Sequence, residues 1–144
     1  MKTVRELLRR KGYEVWSIGP DDTVFDALKL MAEKNIGALL VIDTDKLMGI
    51  LSERDYARKV ILVGKSSKDT PVHDIMSTKL VHVEPDLSLE GCMVLMTERH
   101  VRHLPVLDGD HLIGVISIGD VVNAVIAEQR FIIDQLKAFH DYDM

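Results

Sequence analysis

Two seven-residue stretches, Gly49-Ile50-Leu51-Ser52-Glu53-Arg54-Asp55 and Gly114-Val115-Ile116-Ser117-Ile118-Gly119-Asp120, share the pattern Gly-x-x-Ser-x-x-Asp. A serine followed three residues later by an acid approximates a helix capping box, in which hydroxyl and carboxylate satisfy the free N–H groups of a first turn. The recurrence of the pair behind a glycine moves the reading toward ligand binding without removing the cap, and the two roles are compatible. Other chemistry finds less support. His100 and His103 suggest a metal, but no nearby Cys or third spaced His completes a tetrahedral set. Neither serine sits in a strand-turn-helix nucleophile elbow with a paired His and acid, so catalysis is not supported. Trp16 and Tyr56 suit either stacking on a base or packing in a core.

These residues sit inside a repeat. Pro20-Asp21 recurs as Pro85-Asp86, a shift of 65 residues, and at the same shift Leu30-Met31, Leu39, Val41, Gly49, Ser52 and Asp55 meet Leu95-Met96, Leu104, Val106, Gly114, Ser117 and Asp120. Each copy opens with a short apolar stretch, Val15 to Ile18 or Leu80 to Val83, followed by Thr23 or Ser88 as a helix cap. The apolar stripes Val24, Ala27, Leu28, Met31 and Leu89, Cys92, Met93, Met96 predict a helix with one buried face, which places Cys92 and the methionines in the core. Strands over Ala38 to Ile42 and Leu47 to Leu51, and over Leu104 to Leu107 and Leu112 to Ile116, form hairpins through the Asp-rich turns between them. A second helix starts near Asp55 or Asp120. The unit is strand, helix, strand, strand, helix, and at roughly 45 residues it buries too little apolar surface to stand alone.

The chain therefore divides into an N-terminal helix (1–14, with Val4, Leu7 and Leu8 apolar), a first unit (15–63), a polar connector (64–77) containing a helical turn at His73 to Met76, a second unit (78–128), and a helical extension (129–144). Helical spacing runs on through Val122, Val125, Ile126, Ile133 and Leu136, as in a helix that caps the module or meets a second subunit. The fold class is α+β, one compact pair of pseudo-symmetric units. A net charge of −5 without a broad basic face argues against nucleic acid. No secretory signal is visible, and no apolar stretch approaches the roughly 20 residues that span a bilayer. With one cysteine, this reads as a cytoplasmic protein.

The β-α-β-β-α unit carrying Pro-Asp, an apolar hairpin and Gly-x-x-Ser-x-x-Asp resembles the CBS-domain family over about residues 15 to 128. Asp74-Ile75-Met76-Ser77-Thr78 resembles the segment that introduces a CBS unit, and Ser52 to Val60 is similar to small stand-alone bacterial CBS pairs. The resemblance implies a Bateman module with two clefts between its units, each taking an adenine nucleotide such as AMP, ADP, ATP or NAD, or an S-adenosyl compound. It implies that Asp55 and Asp120 accept hydrogen bonds from the ribose hydroxyls, as acceptor-only carboxylates facing a diol. Ser52 and Ser117 would face phosphate. Adenine would lie against Ile18 with Ile36, Gly37 and Ala38, and against Thr78 and Val81 with Arg102, His103, Leu104 and Pro105.

The two copies differ in charge. Arg54, Arg58 and Lys59 correspond to Gly119, Asn123 and Ala124, while Arg102 and His103 replace Gly37 and Ala38. Near a cleft, Arg54 and His103 are favoured as phosphate neighbours; Arg58 and Lys59 are equally well read as solvated. The resemblance thus implies a non-enzymatic regulatory sensor with no required cofactor, acting in trans as a homodimer on a partner protein. The alternative is a constitutive interaction scaffold with vestigial clefts.

Overall fold

The computed structural model describes residues 2–142, with side chains through residue 138. In chain order the elements are α1 (Val4–Lys11), β1 (Ser17–Ile18), α2 (Val24–Lys34), β2 (Ala38–Asp43), β3 (Lys46–Ser52), α3 (Glu53–Tyr56), α4 (Leu89–Arg99), β4 (His103–Asp108), β5 (His111–Ser117) and α5 (Ile118–Tyr142). A π-helical turn at Ala57–Ile61 follows α3, and a short 3-10 turn spans Val72–Asp74. The last two residues of the expected extension lie outside the described part. The chain forms two compact units, Val15–Leu80 and the residues up to Glu14 together with those from Val81 onward.

In the unit Val15–Leu80, the Thr23 hydroxyl accepts from the Asp26 amide at 3.1 Å and starts α2, which ends at Asn35 in the left-handed region. Val24, Ala27 and Met31 are buried, the expected stripe, and meet Leu39, Val41 and Leu51 from the sheet. β1 runs parallel to β2 through Ser17↔Leu40 and Ile18↔Val41; β2 pairs antiparallel with β3, with a bulge after Val41. Val72 and Ile75 complete this core, so the connector folds back on its own unit. Gly49 is required where it does so. A Cβ there would stand 2.7 Å from the Ser77 carbonyl oxygen, and that strand segment is held by Ile50 N–H to Ser77 O (3.0 Å) and Ser77 N–H to Ile50 O (2.8 Å).

The other unit repeats the plan with one departure. Ser88 caps α4, whose buried residues are Leu89, Cys92 and Met96, and β4 pairs with β5 in the register of the first hairpin. The strand expected over Leu80 to Val83 does not form; only Val83 pairs, as a single parallel bridge to Val106. The reason lies in Pro105. In the first unit Leu40 donates its N–H to the Trp16 carbonyl at 3.3 Å. The residues at the same shift are Pro105 and Val81, and proline has no N–H to give. The ladder therefore loses one rung and begins at Val83, which donates to Pro105 O at 3.0 Å and accepts from Leu107 at 2.9 Å.

Helix α1 belongs to this second unit. Val4, Leu7 and Leu8 are buried in its core, and backbone bonds tie Val4 to Leu87, Arg5 to Pro85 and Leu89 to Lys2. Leu8 lies against Gly114, where a Cβ would come within 2.8 Å of its methyl. On α5, Val121 and Ala124 are the buried positions, Val125 packs partly against them, and Ile126, Ile133 and Leu136 face outward at 42, 50 and 62% exposure. No described helix is long and apolar enough to cross a membrane.

Candidate functional site

Both motifs are built the same way. β3 and β5 deliver a serine at the N-cap, and the chain turns at once into α3 or α5, so the aspartate three residues on returns to the serine. Asp55 N–H donates to the Ser52 hydroxyl oxygen at 3.1 Å while Ser52 N–H donates to Asp55 Oδ2 at 3.0 Å, a full capping box. Asp120 N–H donates to Ser117 Oγ at 3.1 Å and Ser117 N–H to Asp120 Oδ2 at 2.8 Å. The hairpin register sets Ala38 opposite Ser52 and His103 opposite Ser117. Gly37 accepts from Glu53 N–H at 3.0 Å and Arg102 from Ile118 N–H at 2.8 Å. The structure thus brings Gly37, Ala38, Ser52 and Asp55 together, and likewise Arg102, His103, Ser117 and Asp120.

Each carboxylate also holds a lysine. Lys59 Nζ lies 3.2 Å from Asp55 Oδ1 and donates to the Ile75 carbonyl at 3.0 Å. Ala124, the residue at the same shift, is buried and carries no charge. Its place is taken by Lys11 from α1, which donates to Asp120 Oδ2 and to the Val115 carbonyl, both at 2.7 Å. Sequence reading missed Lys11 because its partner is more than a hundred residues away; the available hint was the missing cation at Ala124.

Electrostatics follow from this packing. Burial pushes the Asp120 carboxyl up, but hydrogen bonds from Lys11 and Ser117 outweigh it and hold the group below the usual aspartate value. His103 is held below the usual histidine value, first by burial, then by the Lys11 charge against the opposing pull of Asp120, with Arg102 adding to the depression. Burial, with the Glu90 charge, pushes the Cys92 thiol up to about 11, which makes it an inert core residue.

The remaining expected residues are more dispersed. Ile18 and Ile36 pack against the first core, and Leu104 and Pro105 are buried in β4. Arg54 and Gly119 occupy equivalent exposed positions in the first turns of α3 and α5, and Thr78 is exposed near the end of the first unit. Val81 is partly buried, and without an N–H on Pro105 its carbonyl meets no backbone donor among the described residues. Tyr56 packs on the first core, whereas Trp16 stays 37% exposed with Lys34 Nζ 4.1 Å from its ring centroid. Among the described residues no group of three His, Cys, Asp or Glu could hold a metal ion.

Two α+β units of the same plan, each carrying a Ser-Asp cap that leaves polar groups at the surface, define the class as a tandem-repeat module. The chain belongs to the CBS-domain family, whose sequence profile matches residues 4–62 and 72–127. It is 42% identical over 147 residues to the mitochondrial CBS domain-containing protein CBSX3 of Arabidopsis thaliana, covering 95% of this chain and 71% of that protein. A protein with CBS domains from Burkholderia ambifaria MC40-6 matches in structure with TM-score 0.85 and 55% identity, over 88% of this chain and 96% of that one. The CBS domain pair of protein MJ0100, solved with 5′-methylthioadenosine and S-adenosyl-L-methionine, shares the fold with TM-score 0.76 at 19% identity, over 88% of this chain and 97% of that one.

Proposed function

We propose that this CBS pair senses adenine nucleotides, AMP, ADP, ATP or NAD, through its two Ser-x-x-Asp motifs and passes occupancy on to a separate protein. The carrying observation is the pair of partly exposed aspartates, 18 and 26% exposed at the side chain, each braced by a serine amide and a lysine. A braced carboxylate at a surface is an acceptor ready for a diol. The adenosine compounds bound by the pair of protein MJ0100 support the same ligand class. The Val81 carbonyl, left without a ladder partner, is an acceptor for an exocyclic amine of the base. Occupancy acts by shifting the populations of two arrangements that differ in ligand affinity.

The test is a thermal-shift screen of nucleotide-free protein against AMP, ADP, ATP, NAD, NADH and S-adenosylmethionine, since a ligand that prefers the native state raises the melting temperature. A selective rise that Asp120→Ala abolishes, in a variant melting near the wild type without ligand, supports the reading. Replacement of that charge-assisted acceptor costs about 2 kcal/mol of binding. No rise with any compound sinks it. In that case the second reading, a constitutive interaction module, takes its place; the outward-facing Phe131, Ile132, Ile133 and Leu136 of α5 favour it. Assembly as a homodimer through that helix is part of both readings, and light scattering on a Phe131→Glu, Ile133→Glu variant checks it.

A further inference from the structure

The two motifs share a plan but differ in what they leave free. In the first, Asp55 Oδ2 accepts from the Ser52 amide and from the Ser52 hydroxyl at 3.1 Å, and Oδ1 pairs with Lys59. Both carboxylate oxygens and the serine proton are engaged. In the second, both bonds to the Asp120 carboxylate fall on Oδ2, from Ser117 N–H and from Lys11 Nζ. Among the described residues, no hydrogen bond or ion pair falls on Oδ1 of Asp120. A diol needs acceptors; the second motif offers one, Oδ1 of Asp120, without first breaking a bond.

The charges are placed differently. Lys11 sets a fixed positive charge on the carboxylate of the second motif, and Lys11 and Arg102 both act on His103 beside it. Lys11 spends two of its three N–H groups on Val115 and Asp120 and stays 33% exposed, so one donor remains for a ligand. In the first motif Glu53 stands where Ile118 stands in the second, Gly37 and Ala38 replace Arg102 and His103, and Arg54 and Arg58 stand where the second has Gly119 and Asn123.

Resting on the nucleotide reading above, we propose that the Ser117–Asp120 motif is the tighter site, and that Lys11, reaching it from α1, makes it select phosphorylated nucleotides over the nucleoside. Lys11 acts by direct charge on the phosphate while its bond to Oδ2 keeps Oδ1 turned to the ribose.

The test is calorimetric titration of wild type, Lys11→Met, Lys11→Arg and Lys59→Met with ATP and with adenosine. Lys11→Met should lower ATP affinity by about tenfold or more, the weight of one charge-assisted hydrogen bond, and change adenosine binding far less. Lys11→Arg should keep most of the preference, and Lys59→Met should leave the tighter site unchanged. An unaltered ATP-to-adenosine ratio in Lys11→Met overturns the proposal, as does an equal loss of both ligands. Amide shifts of the wild-type protein during ATP titration supply the answer if Lys11→Met does not fold: residues 117–120 should saturate before residues 52–55, and the reverse order refutes the assignment. A wild-type protein that binds neither ATP nor adenosine would instead overturn the nucleotide reading itself.

Discussion

Replacing Gly49 by alanine sets a methyl group 2.7 Å from the Ser77 carbonyl oxygen, a distance real Cβ atoms do not keep, so one segment must move. What stands there is backbone, pinned by the reciprocal bonds between Ile50 and Ser77. Losing two backbone hydrogen bonds costs about 1–3 kcal/mol, and the displaced packing of Met76 about 1 kcal/mol more, for roughly 2–4 kcal/mol in all. Gly114→Ala, at the matching motif position, meets the ends of the Leu8 side chain, with its nearest methyl at 2.8 Å. A side chain gives way more easily than a paired backbone, so that variant should lose about 1–2 kcal/mol. The assay is urea unfolding of both variants beside hydrogen exchange at Ile50 and Ser77, whose amides should exchange faster in Gly49→Ala alone. Equal losses in the two variants, or the greater loss in Gly114→Ala, would refute the claim that these glycines are there for close packing of two different neighbours.

The site's charges make stability depend on pH. His103 binds its proton less readily folded than unfolded, so stability should fall as pH drops through the ordinary histidine value of 6.5, and His103→Gln should flatten that slope in urea midpoints between about pH 7 and 5.5. Burial comes first in this depression, with Lys11 and Arg102 adding to it and Asp120 opposing it. Asp120, held below 3.8, adds stability that is present above that value and lost only as pH falls beneath it. Cys92, buried and pushed up to about 11, should resist a thiol reagent at pH 7.5 in the native protein and react fully in denaturant; fast native labelling would contradict its burial. Ser88→Ala, which removes the hydroxyl accepting from Gly91 N–H at 2.9 Å, should cost about 1 kcal/mol of stability by urea titration.

Local signals carried much of the fold. Thr23 and Ser88, with the apolar stripes behind them, marked the starts and buried faces of α2 and α4 because capping and periodicity are properties of neighbours in sequence. The hairpins followed from alternation and Asp-rich turns, and the Ser-Asp reciprocity from spacing alone. Three features were hidden for one physical reason, their dependence on partners far along the chain. Leu80 to Val83 has strand composition, but its missing rung depends on Pro105 in another element. The outward turn of Ile133 and Leu136 depends on which face of α5 meets the core. Lys11 stands in a basic run that suits any helix C-terminus, and only packing of α1 beneath β5 brings it to Asp120.

The placement of α1 gives the chain an unusual connectivity: residues 15–80 are an insertion within the other unit. On the ribosome α1 emerges before Leu87, Leu89 and Val115, the residues that receive it, with the whole inserted unit synthesised in between. The inserted unit has its own core and is free to fold while α1 waits with Val4, Leu7 and Leu8 uncovered. Once folded, it shortens the effective loop that α1 must close, which lowers the entropy cost of docking. An extension fused to the N-terminus, or trimming of the first dozen residues, would therefore be felt at Asp120, at the far end of the sequence, before it is felt at Asp55.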